Sequence, residues 1–123
     1  MRELRLTRKA AADLSDIADF TIAEFGIEQA GGYRDQFARC FASVLDNPFL
    51  GRSANELAPG LRRIRQQAHV VFYQPSEEVI LVVRVLHHRM DFEQHLSSAV
   101  SRSLPIAPDL IRGRASFRAA EGA

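Results

Sequence analysis

The chain has 123 residues, of which 46% are hydrophobic and 25% are charged, a composition typical of one globular domain with a small core. The formal net charge is only +1, and Cys40 is the single cysteine, so an internal disulfide framework and a cysteine-based zinc site are excluded. The longest apolar run, residues 79–83, is too short to cross a bilayer, and the first residues lack the apolar segment of a signal peptide. We therefore expect a cytoplasmic protein with no membrane contact.

Almost all basic residues are arginines, and the ratio of basic to acidic residues changes along the chain. Residues 1–60 carry seven basic and nine acidic residues, whereas residues 61–96 carry five arginines, four acidic residues and all four histidines. Lys9 is the only lysine. Arginine favours planar, bidentate contacts with carboxylates and phosphates. The preference either serves such contacts or reflects GC-rich codon usage.

The first part of the chain predicts a short strand and a long helix. Leu4 and Leu6 alternate with charged residues, as in a half-buried strand. Thr7 is a favourable N-cap for a helix over Arg8–Phe25, and Gly26 ends it. The apolar positions of this helix fall at helical spacing. They are Leu14, Ile17, Ala18, Thr21 and Phe25.

A second amphipathic helix follows at once. Its apolar stripe consists of Ala30, Tyr33, Phe37, Cys40, Phe41 and Val44. Pro48 stops the helix because it disfavours helical geometry at Asn47. The connection between the two helices is so short that they are predicted to form an antiparallel hairpin.

Three strand patterns follow a loop that is rich in Gly, Pro, Asn and Ser. They read LRRIRQ, HVVFYQ and VILVVRVLH, and the third, the most β-branched, is predicted to be a central strand buried on both faces. LRRIRQ and the N-terminal strand are the expected sheet edges. Asp91 is predicted to cap a short final helix, DFEQHL.

The predicted fold is therefore α+β, with an N-terminal strand and an antiparallel two-helix hairpin packed on an antiparallel sheet of three to four strands, and a short C-terminal helix. The domain is expected to cover residues 1–97. Residues 98–123 lack a sustained period and are rich in Ser, Ala and Arg, so we predict a largely disordered extension.

The junction RVLHHRMD carries the densest cluster of polar residues. Arg84 lies within an apolar strand, where an unpaired charge is costly, so we predict a structural ion pair with Asp91. Strand alternation places His87 and His88 on opposite faces, which argues against an acid–base pair. His87 is expected either to end the strand and hydrogen-bond a carbonyl or to contact a partner, whereas His88 and Arg89 are expected to face solvent or a partner. We predict no metal site, because the candidate ligands diverge; these are His87, His88 and His95.

Five stretches, in this order and at these spacings, resemble the RelE/ParE superfamily of toxins from type II toxin–antitoxin systems. The stretches are LTRKAAADLSDIADFTIAEFG, DNPFLGR, ELAPGLRRI, HVVFYQ and VILVVRVLHHRMDFEQHL. Together they cover about residues 3–97, and the ParE branch is the closer match. Residues 98–123 have no counterpart in the usual family pattern.

The resemblance implies a small cytoplasmic toxin that needs no cofactor and is encoded beside a cognate antitoxin, with which it forms a heterotetramer or a larger complex. ParE-like members are associated with inhibiting DNA gyrase and blocking replication, and this is the leading expectation. RelE-like members instead cut mRNA, commonly on the ribosome. A third alternative is a toxin-fold protein that has lost its activity and serves only as the antitoxin's partner.

Metal-free RNA cleavage needs a base, an acid and cations around the phosphorane, and histidine suits the first two roles. A nuclease built on this chain would use His87, His88, Arg84 and Arg65. RelE-type nucleases tend to carry a lysine-rich surface and a catalytic tyrosine or histidine near the C-terminus. This chain is almost free of lysine, and neither of its tyrosines is near the C-terminus. The protein is therefore expected to act by binding rather than as an enzyme.

Two sets of contact residues are expected. The residues predicted to bind the target lie at the end of the last strand: Arg84, His87, His88 and Arg89. The residues predicted to bind the antitoxin combine arginines that grip acidic side chains with aromatic residues between the hairpin and the sheet. They are Arg62, Arg63, Arg65, Tyr33, Phe37 and Tyr73. Such a surface suits an amphipathic helix and an added edge strand. Tyr33 and Phe37 are nevertheless expected to serve the core first, and the three arginines fit a solvated strand face equally well.

Overall fold

The computed structural model describes residues 2–96, which form one strand, two long helices, four further strands and a short final helix. The elements are β1 (Glu3–Leu6), α1 (Arg8–Phe25), α2 (Ile27–Asp46), β2 (Arg52–Ser53), β3 (Arg62–Gln66), β4 (His69–Pro75), β5 (Val79–His87) and α3 (92–96). The predicted extension, residues 98–123, lies outside the described residues. Within residues 2–96, neither long helix has the apolar length that a bilayer crossing requires.

The strands form one sheet in the order β1-β5-β4-β3-β2, against which the helical hairpin packs. The predicted α+β architecture is confirmed, and β5 is the buried inner strand that its composition indicated. The sheet differs from the expectation in being mixed and five-stranded. β1 pairs in parallel with β5, and the two-residue strand β2 joins β3. Alternation of apolar residues reveals a strand but not the direction of its partner, and β2 is too short to have a pattern.

The helical hairpin begins and turns where the sequence predicts. Thr7 caps α1, because its hydroxyl oxygen accepts from the backbone N–H of Ala10 at 3.0 Å. Gly26 alone links the two helices, with a φ of 94° that glycine adopts without strain. The prediction that Phe25 is part of the buried stripe is wrong: it is 66% exposed, because the hairpin extends beyond the sheet and residues 22–29 are all exposed.

Apolar residues fill both faces of the sheet. The first core lies between the hairpin and the sheet and includes Leu14, Phe37 and Val82. The second lies on the opposite face, beneath the 54–61 loop and α3, where Leu96 is fully buried. The predicted cap of α3 is confirmed, since the carboxylate of Asp91 accepts from the backbone N–H of residue 94 at 3.4 Å. Loop and final helix together cover the face that the hairpin leaves open.

A β-bulge interrupts the pairing of β4 with β5. Phe72 faces Arg84, but the next residue, Tyr73, faces Val82, so one residue of β5 is inserted at this point. As a result, Val82 and Val85 contribute to the same core although they are three positions apart. Beyond the bulge, the apolar residues of β5 still face the two cores, although β5 no longer pairs with the edge strand β1 there.

Candidate functional site

Arg84 is held by an ion pair that the sequence did not reveal. Its Nε and one terminal nitrogen donate to the two carboxylate oxygens of Asp13, at 2.7 and 2.8 Å, and both side chains are only 13% exposed. This bidentate bond raises the pKa of the Arg84 guanidinium. The prediction that Asp91 is the partner of Arg84 is therefore wrong, because the Asp91 carboxylate caps α3 instead. The role of Arg84 in target binding stays a prediction, and the ion pair leaves little of its surface available.

Asp13 also accepts a hydrogen bond from the backbone at the open edge of β5. β1 ends at Leu6, so the far half of β5 has no strand on that side. The Thr7 hydroxyl donates to the carbonyl of Val83 at 2.7 Å, and the carboxylate of Asp13 accepts from the backbone N–H of Val85 at 2.9 Å. The side chains of Thr7, which caps α1, and Asp13, which lies within α1, thus take the place of the missing strand. They fix the direction of β5 as it approaches the histidines.

The two adjacent histidines do not point apart, as strand alternation predicts. The rings of His87 and His88 are stacked, with centroids 4.7 Å apart and 26° between the ring planes. The reason is that β5 ends at His87 and the chain turns over residues 88–90, so strand geometry no longer applies to His88. Partial burial first, and then the neighbouring Arg65, His87 and Arg89, lower the pKa of His88.

A third histidine joins this cluster through the sheet register. His69 faces His87 across β4 and β5, and their ring centroids lie 5.4 Å apart. On the other side, Nδ1 of His69 is 2.6 Å from the hydroxyl of Tyr33, which also donates to the carbonyl of Gln66. His69 was not among the predicted site residues, and the only signal for it was its position at the start of a strand that pairs with VILVVRVLH. We call His69, His87, His88 and Tyr33 the histidine cluster.

Acidification is expected to weaken the fold through His69. Burial first, and then the neighbouring His87 and His88, lower its pKa from 6.5 to about 4, so the folded state favours the neutral ring. Its contribution is complete above pH 6.5 and is lost as the pH falls towards 4, where the unfolded chain binds the extra proton. We expect a loss on the order of 2 kcal/mol in the free energy of unfolding over this range.

Urea denaturation at pH 7 and pH 4.5 measures this loss. The His69→Gln variant should lose less stability than the wild type between the two pH values, whereas His95→Gln, which lies outside the cluster, should retain the wild-type pH dependence. Identical pH dependence of the wild type and His69→Gln would contradict the assignment.

Beside the histidine cluster is a concave basic surface, which we call the arginine groove. It has a volume of about 370 Å³ and lies on the sheet face opposite the hairpin, between β3 and α3. Its lining comprises Leu50, Gly51, Arg52, Arg63, Ile64, Arg65, Val70, His88 and Phe92. Arg63 and Arg65 are two apart on β3 and therefore share a face. The groove brings together predicted antitoxin contacts and a predicted target contact, His88.

Tyr73 forms the support of this groove rather than part of its surface. Its hydroxyl donates to the carbonyl of Pro48 at 2.9 Å and accepts from the backbone N–H of Gly51 at 2.8 Å. A Cβ atom on Gly51 would lie 2.7 Å from this hydroxyl and from the carbonyl oxygen of Arg63, so only glycine fits. The Tyr73 side chain is fully buried, and its predicted role as an antitoxin contact stays a prediction.

A second groove, of about 350 Å³, lies between α2 and the outer edge of β3. It is lined by Gln36, Arg39, Cys40, Ser43, Leu50, Ile64 and Gln66. β2 pairs only with Arg62 and Arg63, so the outer edge of β3 is open beyond them, as predicted for LRRIRQ. Arg62 lies apart from Arg63 and Arg65: it donates to the carbonyl of Gly51 and its guanidinium lies over the Phe49 ring. Phe37, a predicted contact, is 2% exposed and belongs to the core.

Comparison with known proteins assigns the chain to a family. Residues 4–92 match the family described as the ParE toxin of the type II toxin–antitoxin system, parDE. The chain belongs to the ParE toxin family. It is 35% identical over 96 residues to Toxin ParE1 of Caulobacter vibrioides, an alignment covering 78% of this chain and 99% of that protein. It is 37% identical over 92 residues to Toxin ParE1 of Mycobacterium tuberculosis, with 74% and 94% covered.

A solved structure has the same fold as this ParE family member. The chain superposes on one from the chromosomal ParDE toxin–antitoxin system of Pseudomonas aeruginosa with a TM-score of 0.62 and 24% identity, covering 71% of this chain and 96% of that one. The predicted ParE membership is therefore confirmed, and the protein is a toxin of a type II system. Across residues 2–96, no three or more His, Cys, Asp or Glu side chains are grouped so that they could hold a metal ion.

Proposed function

We propose that this ParE toxin binds DNA gyrase, blocks replication and is neutralised by a cognate antitoxin. The observation that carries the proposal is the match to the ParE family over residues 4–92. The geometry is compatible with a mechanism of binding rather than group transfer. Two of the histidines are stacked and the third is engaged by Tyr33, so none of them is placed as an obvious acid–base pair.

The surface proposed to contact gyrase is the end of β5 and the turn that follows it. His88 is half-buried in the wall of the arginine groove, Arg89 is exposed, and Met90 is 43% exposed beside it. An aliphatic side chain next to cationic groups is a suitable anchor for a protein partner that is both apolar and acidic at the contact. His87 supports this surface from beneath, because its Nδ1 accepts from the backbone N–H of Arg89 at 3.2 Å.

The surface proposed for the antitoxin is the second groove with the open edge of β3. An amphipathic helix fits the space between α2 and the sheet, and an extended segment can add to the edge beyond Arg63. The second groove adjoins the arginine groove, whose wall includes the proposed gyrase contact His88, since Leu50 and Ile64 line both grooves. An antitoxin that fills the second groove is therefore close enough to cover the gyrase-binding surface as well. We expect the complex of toxin and antitoxin to be a heterotetramer or larger. A measurement of its mass in solution tests this expectation.

A gyrase supercoiling assay tests the proposal. Purified toxin at micromolar concentration should inhibit supercoiling, and preincubation with the antitoxin should restore it. The double variant His88→Ala/Arg89→Ala should require about a tenfold higher concentration for the same inhibition, because it removes two central contacts. Arg8→Ala, an exposed arginine at the start of α1, is the matched control and should inhibit like the wild type. Full supercoiling at micromolar wild-type toxin would rule out gyrase as the target.

Cleavage of mRNA is the second candidate function, and one observation favours it. Arg65 and His88, two of the four residues that a nuclease would use, lie in the same groove. Mapping mRNA ends after expression of the toxin, with and without ribosomes, tests this candidate. New ends that disappear in His88→Ala would support cleavage, and their absence would remove it. Normal growth after induction of the toxin alone would instead support a chain that has lost its activity.

A further inference from the structure

The arginine groove has one buried hydrogen-bond donor that the described residues do not satisfy. Nε of Arg63 is buried and has no hydrogen-bond partner within residues 2–96. A terminal nitrogen of the same side chain is 3.5 Å from Glu56, whose side chain is 60% exposed. Arg52 and Arg65 are exposed at the rim. Three guanidinium groups thus border one concavity with a single carboxylate near them, so the groove attracts an anion.

The rest of the lining suits a flat organic group attached to that anion. Leu50, Val70 and Phe92 form its apolar part, and His88, whose ring stacks on that of His87, completes the lining. A volume of about 370 Å³ accommodates a small ligand. Phe92 and His88 offer planar rings beside the arginines, and such an arrangement holds the bases and phosphates of single strands.

We propose that the arginine groove binds a phosphodiester group of a single nucleic-acid strand and that the His87–His88 stack supports an adjacent base. An acidic peptide would use the arginines but would leave the stacked rings and Phe92 without a role. A duplex is also a poorer fit, because its bases are paired and stacked on one another. The proposal goes beyond the gyrase proposal, since binding of a free strand requires no gyrase.

Fluorescence anisotropy with labelled twenty-nucleotide strands tests the site. The probes are oligothymidylate DNA and oligouridylate RNA, titrated with the wild-type chain between low and physiological salt. We expect binding that weakens with salt, with a log–log slope of about −2, since each of three arginines that neutralises a phosphate contributes about −0.7. Tighter binding of DNA supports the proposal and fits a DNA-associated target. Tighter binding of RNA supports it equally and favours mRNA as the source.

The decisive variant is Arg52→Gln/Arg65→Gln, because both side chains are exposed and Arg63 remains to hold Glu56. Its affinity should fall at least about tenfold and its salt slope should approach −0.7. The matched control, Arg8→Gln/Arg34→Gln, removes the same charge from exposed positions on the two long helices and should bind like the wild type. Circular dichroism verifies that both variants are folded.

Three results would overturn the proposal. The first is the absence of binding by the wild type at low salt, and the second is equal loss of affinity in the groove variant and the control. The third is displacement of the strand by polyglutamate of equal charge at an equal concentration, which would reveal a general polyanion surface. The supercoiling assay gives an independent result, so a failure of this proposal is distinguishable from a failure of the gyrase proposal.

Discussion

Replacing Asp13 with alanine is expected to lower the free energy of unfolding by about 3–5 kcal/mol. Asp13 is the bidentate partner of Arg84, and both side chains are only 13% exposed. Its loss leaves a largely buried guanidinium without a counter-charge and the backbone N–H of Val85 without an acceptor. Urea or thermal unfolding of Asp13→Ala against the wild type measures the effect.

Two further variants distinguish the effect of losing the ion pair from the effect of a substitution in α1. Asp16→Ala removes an exposed carboxylate one turn further along α1 and should change stability by no more than about 0.5 kcal/mol. Asp13→Ala/Arg84→Met should be more stable than Asp13→Ala, because it removes the unpaired charge and leaves an apolar side chain of similar length. If Asp13→Ala were as stable as Asp16→Ala, the ion pair would not be an anchor of the fold.

Replacing Tyr73 with phenylalanine is expected to cost about 2 kcal/mol or more, although it removes a single oxygen atom. The hydroxyl is the partner of two backbone groups, the carbonyl of Pro48 and the N–H of Gly51, at a fully buried position. Each buried group that is left without a partner costs about 1–3 kcal/mol. Because the 48–51 segment borders both grooves, we expect its amide protons to exchange faster in this variant.

The matched control for Tyr73→Phe is Tyr33→Phe, since these are the two tyrosines of the chain. The hydroxyl of Tyr33 is half-buried and contacts Gln66 and His69 near the open end of the sheet, where water can replace it. The loss should therefore be smaller, about 1 kcal/mol. Equal stability of Tyr73→Phe and the wild type would show that the loop does not depend on the buried hydroxyl.

The elements were predictable wherever the signal is local. Thr7 and Asp91 were recognised as helix caps because capping depends on one side chain and the next three residues. β5 was recognised as an inner strand because burial on both faces gives a continuous apolar run. The error over Phe25 arose because periodicity identifies a helix face, and only the length of the neighbouring sheet decides whether that face is covered.

The candidate sites were less predictable, because they depend on where distant segments meet. Arg84 was identified as a residue that needs a counter-charge, but its partner is 71 positions away on α1 rather than seven positions away. His69 entered the histidine cluster through the register of β4 with β5. The stacking of His87 on His88 depends on the residue at which β5 ends, and strand alternation assigns the opposite geometry when it is applied to the residue after that end.

By itself, the sequence determined the helical hairpin, the strands of the meander and, through ordered motifs, membership of the ParE toxin family. Spacing and capping encode these features within a few residues. Only the tertiary structure decided the parallel pairing of β1, the Asp13–Arg84 anchor and the two grooves that meet at Leu50 and Ile64. The reason is physical: direction of pairing, choice of counter-charge and concavity arise from packing between segments far apart in the chain, and no local pattern records them.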